Sequence, residues 1–353
     1  MSGGPAARSG GEPDAGSLEV GRTRPPVLVT RRLPQEALDR IGAWCDVTLY
    51  DGEGTMARDQ LLTEIAGKTG AITLLTDRVD EEFLDVAGPE LKVVANYAVG
   101  FDNIDVEACT RHGVLACNTP EVLTETTADT AFALMMAAAR RIAEGDRFIR
   151  SGTPWIWGPL MMLGQDVHHA TLGVVGFGRI GQALARRARG FAMRVLYHDM
   201  YRPPAEVEQE LGAEYRELED LLRESDFVSL HTNLTPQTRH LINADRLAMM
   251  KPTAVLVNTS RGPVVDEQAL ARALKQGQIF AAGLDVFERE PDIHPGLLAC
   301  DNAVLIPHLG SATVKTRLAM ANLAVDNVLA ALEAKRPPTP LNPQAWEQRT
   351  SRE

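Results

Sequence analysis

"GVVGFGRIG", residues 173–181, is the stretch whose reading decides the fold. Alone, a Gly-x-Gly-x-x-Gly pattern carries little, because glycine makes up 29 of the 353 residues and the pattern arises by chance. Its flanks settle the matter. "TLGVV" before Gly176 is a β-rich run, and "IGQALARRARGF" after it is apolar at helical spacing. In that setting Gly176 permits a tight turn, Gly178 lets the backbone approach a pyrophosphate, and Gly181 lets helix and strand pack closely. The helix start offers free N–H groups and the positive end of its dipole to phosphates. The next β-run, "RVLYHD", ends in Asp199, at the spacing where a carboxylate accepts ribose hydroxyls. Strand, glycines, helix and acid fall in order, which predicts a dinucleotide site. A carboxylate repels a 2′-phosphate, so the expected cofactor is NAD; Arg202 is the feature that favours NADP.

Outward from this stretch the chain alternates β-rich and helical runs. "VLVT" (27–30), "CDVTLY" (45–50), "AITLLT" (71–76), "KVVANYA" (92–98) and "VLACNTP" (114–120) read as strands. A long helix is expected from about Thr124 to Ser151. The alternation then restarts with "TLGVVGFG", "RVLYHD", "DFVSLH", "AVLVNTS", "AAGLDVF" and "NAVLIPH". A repeated β-α series implies parallel sheets, right-handed crossovers and ligands at the carboxyl ends of strands. The expected class is α/β, with two doubly wound parallel-sheet (Rossmann-like) domains and an active-site cleft between them. A last helix, about Thr313 to Ala334, is expected to return to the first domain.

Composition narrows the function. A net charge of −11 argues against nucleic-acid and anionic-membrane surfaces, so neither is an expected partner. No apolar run reaches the roughly 18 residues of a membrane span, and the first residues lack the apolar core of a signal peptide. Cys45, Cys109, Cys117 and Cys300 are scattered and read as reduced thiols of a cytoplasmic protein. No metal site is expected; His168 and His169 read as surface residues.

Three polar residues stand just past predicted strands: Arg261 in "NTSRGPVVDEQAL", Glu290 in "LDVFEREP" and His308 in "PHLGSAT". Together they suit reduction of a 2-oxo acid. A guanidinium can fork onto a carboxylate or polarise a ketone. An imidazole can protonate a developing alkoxide, and a carboxylate beside it can hold the ring oriented and charged. Singly, each has an ordinary reading: a helix-entry ion pair, a solvated turn acid, a strand-end histidine.

With "TLGVVGFGRIGQALA", "NTSRGPVVDEQAL", "AAGLDVFEREP" and "PHLGSAT" in order, the chain resembles the D-isomer-specific 2-hydroxyacid dehydrogenase family from Val27 to about Leu332. The resemblance implies catalytic roles for Arg261, Glu290 and His308. It implies substrate contacts at Val99 and Gly100, in "YAVGFDNID", beside Arg261 and His308. It implies cofactor contacts at Phe177, Arg179, Ile180, Thr259, Ser260, Asp285 and Gly310, with Arg261 and His308 also bordering the cofactor. It further implies a homodimer joined through the region after Thr124. Trp155 and Trp157 are candidates for an aromatic reaching a partner's site, with interface packing as their other reading. The expected division is a disordered extension (1–25), a substrate-binding, flavodoxin-like domain (26–123 plus 310–336), an NAD-binding domain (124–309) and an extended tail (337–353).

"LLTDRVDEEFLD", "WGPLMMLGQDV" and "VLYHD" look most like the glyoxylate/hydroxypyruvate reductase branch. The expected reaction is NAD(P)H-dependent reduction of a small 2-oxo acid to its D-2-hydroxy acid, with His308 as proton donor. Two alternatives are a D-3-phosphoglycerate dehydrogenase-like enzyme and an NAD-sensing, corepressor-like binding protein on the same fold.

Overall fold

The computed structural model describes residues 24–350. The expected disordered extension falls almost entirely outside them. Strands form two separate sheets, every pair within them parallel. The first holds β1 (Pro26–Val29), β2 (Asp46–Leu49), β3 (Gly70–Thr73), β4 (Val93–Asn96) and β5 (Leu115–Cys117), in the order β2-β1-β3-β4-β5. The second holds β6 (Thr171–Val175), β7 (Arg194–His198), β8 (Ala213–Tyr215), β9 (Phe227–Leu230), β10 (Val255–Asn258), β11 (Ala281–Leu284) and β12 (Ala303–Leu305). Its order is β12-β11-β10-β9-β6-β7-β8.

Both orders are doubly wound, the first flavodoxin-like and the second of the kind that binds dinucleotides. Their central strands are mostly apolar, "VVAN", "FVSL" and "VLVN" being buried at every position, because helices cover both faces. Strand β8, which the sequence reading lacks, is a three-residue edge strand, "AEY", with one buried side chain.

The helix Thr124–Ala139 packs on the second sheet through Ala128, Ala131, Leu134, Met135 and Ala138. The expected single helix to Ser151 is two. The Ala139 carbonyl accepts the Gln165 amide at 2.9 Å instead of continuing the helical ladder. Arg141 takes φ 53°, and a new helix runs Ile142–Arg150.

The helix Val314–Leu332 crosses back to the first sheet, where Met320, Ala321, Ala324, Val325 and Val328 complete its core. The tail is a second correction: instead of remaining extended, Pro343–Thr350 is helical. Proline suits the first helical turn, where its missing N–H costs nothing. Long-range contacts then hold the segment. Ala345 is fully buried, Trp346 packs on the same core, and the Asn342 side chain bonds the Ala116 amide and the Val114 carbonyl.

No helix among the described residues is long and apolar enough to cross a membrane. The four cysteines are unpaired, three of them buried. His168 and His169 lie exposed, ring to ring.

Candidate active site

Strand β6 ends directly in the glycine turn, at the point where β9 lies on its other side. Gly176 has φ +90°, and a Cβ there would stand 2.6 Å from the His231 carbonyl carbon in the segment after β9. Only glycine fits this turn. A Cβ on Gly181 would meet the Gly176 carbonyl at 2.3 Å, so helix and turn are in direct contact. Gly178 caps the helix Arg179–Arg189, and its open side has nothing within 4 Å.

Asp199 follows β7, as the spacing predicts, and organises the turn. Its Oδ2 accepts the Phe177 amide at 2.6 Å and its Oδ1 the Tyr201 amide at 3.0 Å. The Phe177 ring is buried and stacked on Tyr197, with centroids 4.2 Å apart, so its backbone alone faces a ligand. Arg179 turns outward to Glu121 at 2.8 Å.

Between the sheets lies a cleft of about 630 Å³. It brings together Val99, Gly100, Ile180, Thr259, Ser260, Arg261, Asp285, Glu290, His308 and Gly310. The glycine turn and Asp199 do not line this space, apart from Ile180.

Each polar group is held in place. His308, at φ 53°, puts Nδ1 2.8 Å from Glu290 Oε2. The other Glu290 oxygen accepts the Phe287 amide at 3.0 Å. Burial raises the pKa of the Glu290 carboxyl, but the bond to His308, that ring's charge and the Phe287 amide outweigh it and hold the pKa below the usual range. With Nδ1 committed to Glu290, Nε2 is the ring nitrogen left for the cleft. Asp285, only 1% exposed, grips the histidine turn by accepting the Leu309 and Gly310 amides at 2.5 and 2.8 Å. Its burial raises the carboxyl, against the pull of those amides and of His308.

Arg261 follows β10. Its NH1 donates to the Ser260 carbonyl at 2.9 Å and its Nε to Asp102 Oδ1 at 2.8 Å. Its NH2 is buried without a partner and lies against Gly100, where a Cβ would stand 1.6 Å from it. The carbonyls of the Gly100 loop are engaged, Val99 O by Asn118 and Gly100 O by Asn96. Asp102 is the contact that sequence reasoning missed. The signal was "GFDNID" itself, but its partner lies 159 residues away.

The cleft and the turn outside it together fit a dinucleotide: the turn offers an open glycine-capped helix start and a carboxylate past β7, and the cleft offers buried Thr232 and Thr259 hydroxyls without partners. Those orphaned hydroxyls cost free energy until something bonds them.

Known proteins resemble this chain in sequence and fold. The model of the D-isomer specific 2-hydroxyacid dehydrogenase NAD-binding domain matches residues 132–310. The chain is 51% identical over 324 residues to a glyoxylate reductase of Thermococcus onnurineus, covering 90% of this chain and 96% of that one. The crystal structure of a glyoxylate reductase from Paecilomyes thermophila superposes with a TM-score of 0.82 at 33% identity, covering 91% of this chain and 99% of the other. An NADPH-dependent glyoxylate/hydroxypyruvate reductase of Sinorhizobium meliloti, solved with NADP and malonate, gives 0.77 at 32% identity, covering 90% and 97%.

Proposed function

The chain belongs to the D-isomer specific 2-hydroxyacid dehydrogenase family, and from that premise we propose that it reduces glyoxylate, hydroxypyruvate or a similarly small 2-oxo acid to the D-2-hydroxy acid with NAD(P)H. The observation that carries the reading is the set of groups meeting in one cleft. They are a hydrogen-bonded Glu290–His308 pair and an Arg261 whose NH2 is buried and unpartnered.

The Gly176–Gly181 turn would hold the pyrophosphate and Asp199 the ribose, with Ile180, Thr259, Ser260, Asp285 and Gly310 bordering the nicotinamide. When bound, that cofactor supplies the hydride. The chain does the rest. Arg261 NH2, with the amides of the Val99–Gly100 loop, receives the substrate carboxylate, as a charge-assisted bond into a buried site. His308 Nε2 donates the proton that the new alkoxide oxygen takes up. Glu290 fixes the ring through Nδ1 and balances its charge.

NAD is the preferred cofactor in this reading, because a carboxylate just past β7, at the spacing of a ribose contact, would repel a 2′-phosphate. The proposed domains are 26–123 plus 310–336 for the substrate and 124–309 for NAD, a division supported by the two separate sheets and by the packing of Val314–Leu332 on the first. The protein works as a cytoplasmic homodimer. Supporting the dimer, Trp155, Ile156, Trp157 and Leu160 form an arm more than half exposed, too apolar a patch for a monomer to leave in water.

The test is NADH consumption with a panel of 2-oxo acids, run beside direct NADH binding. Turnover fastest with glyoxylate or hydroxypyruvate is expected. Binding without turnover of any 2-oxo acid would overturn the enzymatic reading and leave an NAD-binding protein.

A further inference from the structure

We infer that Glu208 is a specificity-determining residue that withholds Arg202 from the ribose site, so that the chain carries a 2′-phosphate contact held out of use. The inference rests on the reading above, in which Asp199 closes the ribose position.

Arg202 stands three residues beyond Asp199, where an arginine near the ribose ordinarily accommodates a 2′-phosphate. Its side chain is 60% exposed, yet its charged end is held. Nε and NH2 both donate to Glu208 Oε1, at 3.2 and 2.8 Å. The guanidinium carbon lies 5.0 Å from the centroid of the Tyr215 ring, within cation–π range. Tyr215 is itself fixed, its hydroxyl donating to Glu217 at 3.2 Å. One edge and one face of the guanidinium are therefore taken.

Glu208 is the rigid part of the arrangement. The hydroxyl of Tyr197, whose ring is buried beneath Phe177, donates to the same Oε1 that holds Arg202. Hydrogen bonds from Tyr197 first, and Arg202 second, keep the Glu208 carboxyl below its usual range, so it is ionised at neutral pH. Asp199 and Glu208 thus discriminate in different ways. The first repels a 2′-phosphate, and the second ties up the cation that would have offset that repulsion. Selectivity built from an unfavourable element and a withheld favourable one is a general route to specificity.

The test is a double-mutant cycle read by calorimetric binding of NAD+ and NADP+ to the full chain. Glu208→Gln keeps an acceptor for Tyr197 and removes the charge that holds Arg202. An exposed ion pair is worth up to about fivefold in an equilibrium, so NADP+ should bind Glu208→Gln about fivefold tighter, with NAD+ nearly unchanged. Adding Arg202→Ala should cancel that gain, while Arg202→Ala alone should leave NADP+ binding where it was. Glu208→Ser, expected to act in the same direction, serves as the second variant should Glu208→Gln fold poorly. The inference is overturned if NADP+ affinity does not respond to Glu208, or if the gain survives removal of Arg202. Failure of NAD+ to bind the parent protein would instead remove the dinucleotide site on which the inference stands.

Discussion

The five-stranded and seven-stranded sheets face the same cleft, but they equip it differently. The seven-stranded sheet supplies side chains: Arg261, Asp285, Glu290 and His308, each at or just past the carboxyl end of a strand. The five-stranded sheet supplies backbone, in the loop Tyr97–Phe101 beyond β4, whose residues in the cleft are uncharged. Asp102 is the point where the two meet, reaching from that loop to Arg261 at 2.8 Å. Chemistry that moves a proton needs titratable groups with fixed partners, whereas recognising a small carboxylate can be done by amides and one shared guanidinium. The comparison therefore predicts that substitutions of His308 and Glu290 alter turnover, those on the first sheet alter binding, and those of the shared Arg261 alter both.

The largest break in that pattern should come from His308→Gln. Losing a positioned general acid costs roughly 10²–10⁴-fold in rate, and NADH affinity by calorimetry should be nearly unmoved. A loss below about tenfold would place the proton donor elsewhere.

Arg261→Lys comes next. A lysine keeps the charge but cannot serve Asp102, the Ser260 carbonyl and a carboxylate from one planar fork. Steady-state kinetics should show kcat/KM down about 10–100-fold, the scale of one charge-assisted hydrogen bond, with KM raised.

Glu290→Gln tests the pair within the second sheet by pH. The Glu290 carboxyl lies below its usual range, so its negative charge beside His308 is present at neutral pH and is lost only as acid protonates that carboxylate. The variant has no charge to lose. Its reduction profile should drop that acid-side dependence, while its alkaline limb moves toward lower pH. An alkaline limb left in place would separate Glu290 from His308 in function.

The smallest effect, and the one that sharpens the comparison most, should be Gly100→Ala. The added methyl falls on Arg261 NH2, the far end of a flexible side chain, so the fold should survive while the guanidinium is displaced. KM for the oxo acid should rise about tenfold, the cost of about one hydrogen bond to a charged group, with kcat changed less. A fall in kcat with constant KM would mean that the backbone side of the cleft also takes part in the chemistry.

What could be read in the sequence follows the same division. The glycine turn was legible because strand, turn, helix and Asp199 are consecutive and each has a local cause. Arg261, Glu290 and His308 were legible because strand ends are legible. Asp102 was not, since nothing local distinguishes a carboxylate that pairs across the cleft from one that caps a turn. The break at Arg141 escaped because apolar spacing continues through it, and the cause is a carbonyl diverted to Gln165. The tail helix escaped for a related reason: its proline-rich lead-in reads as extended chain, and its anchor, Asn342, bonds strand β5 some 226 residues away.

The helix Val314–Leu332 has one more consequence, for the order in which the molecule can be made. Strands β1–β5 leave the ribosome first, yet on one face of their sheet the core begun by Ala37, Leu38 and Ile41 stays incomplete until Met320, Ala324 and Val328 have been synthesised. That face must wait while the whole seven-stranded sheet emerges, so the second sheet has every residue of its core before the first does. A released chain truncated after residue 310 should resist protease across β6–β12 and be cut within β1–β5, an inversion of the usual rule that the amino-terminal unit folds first.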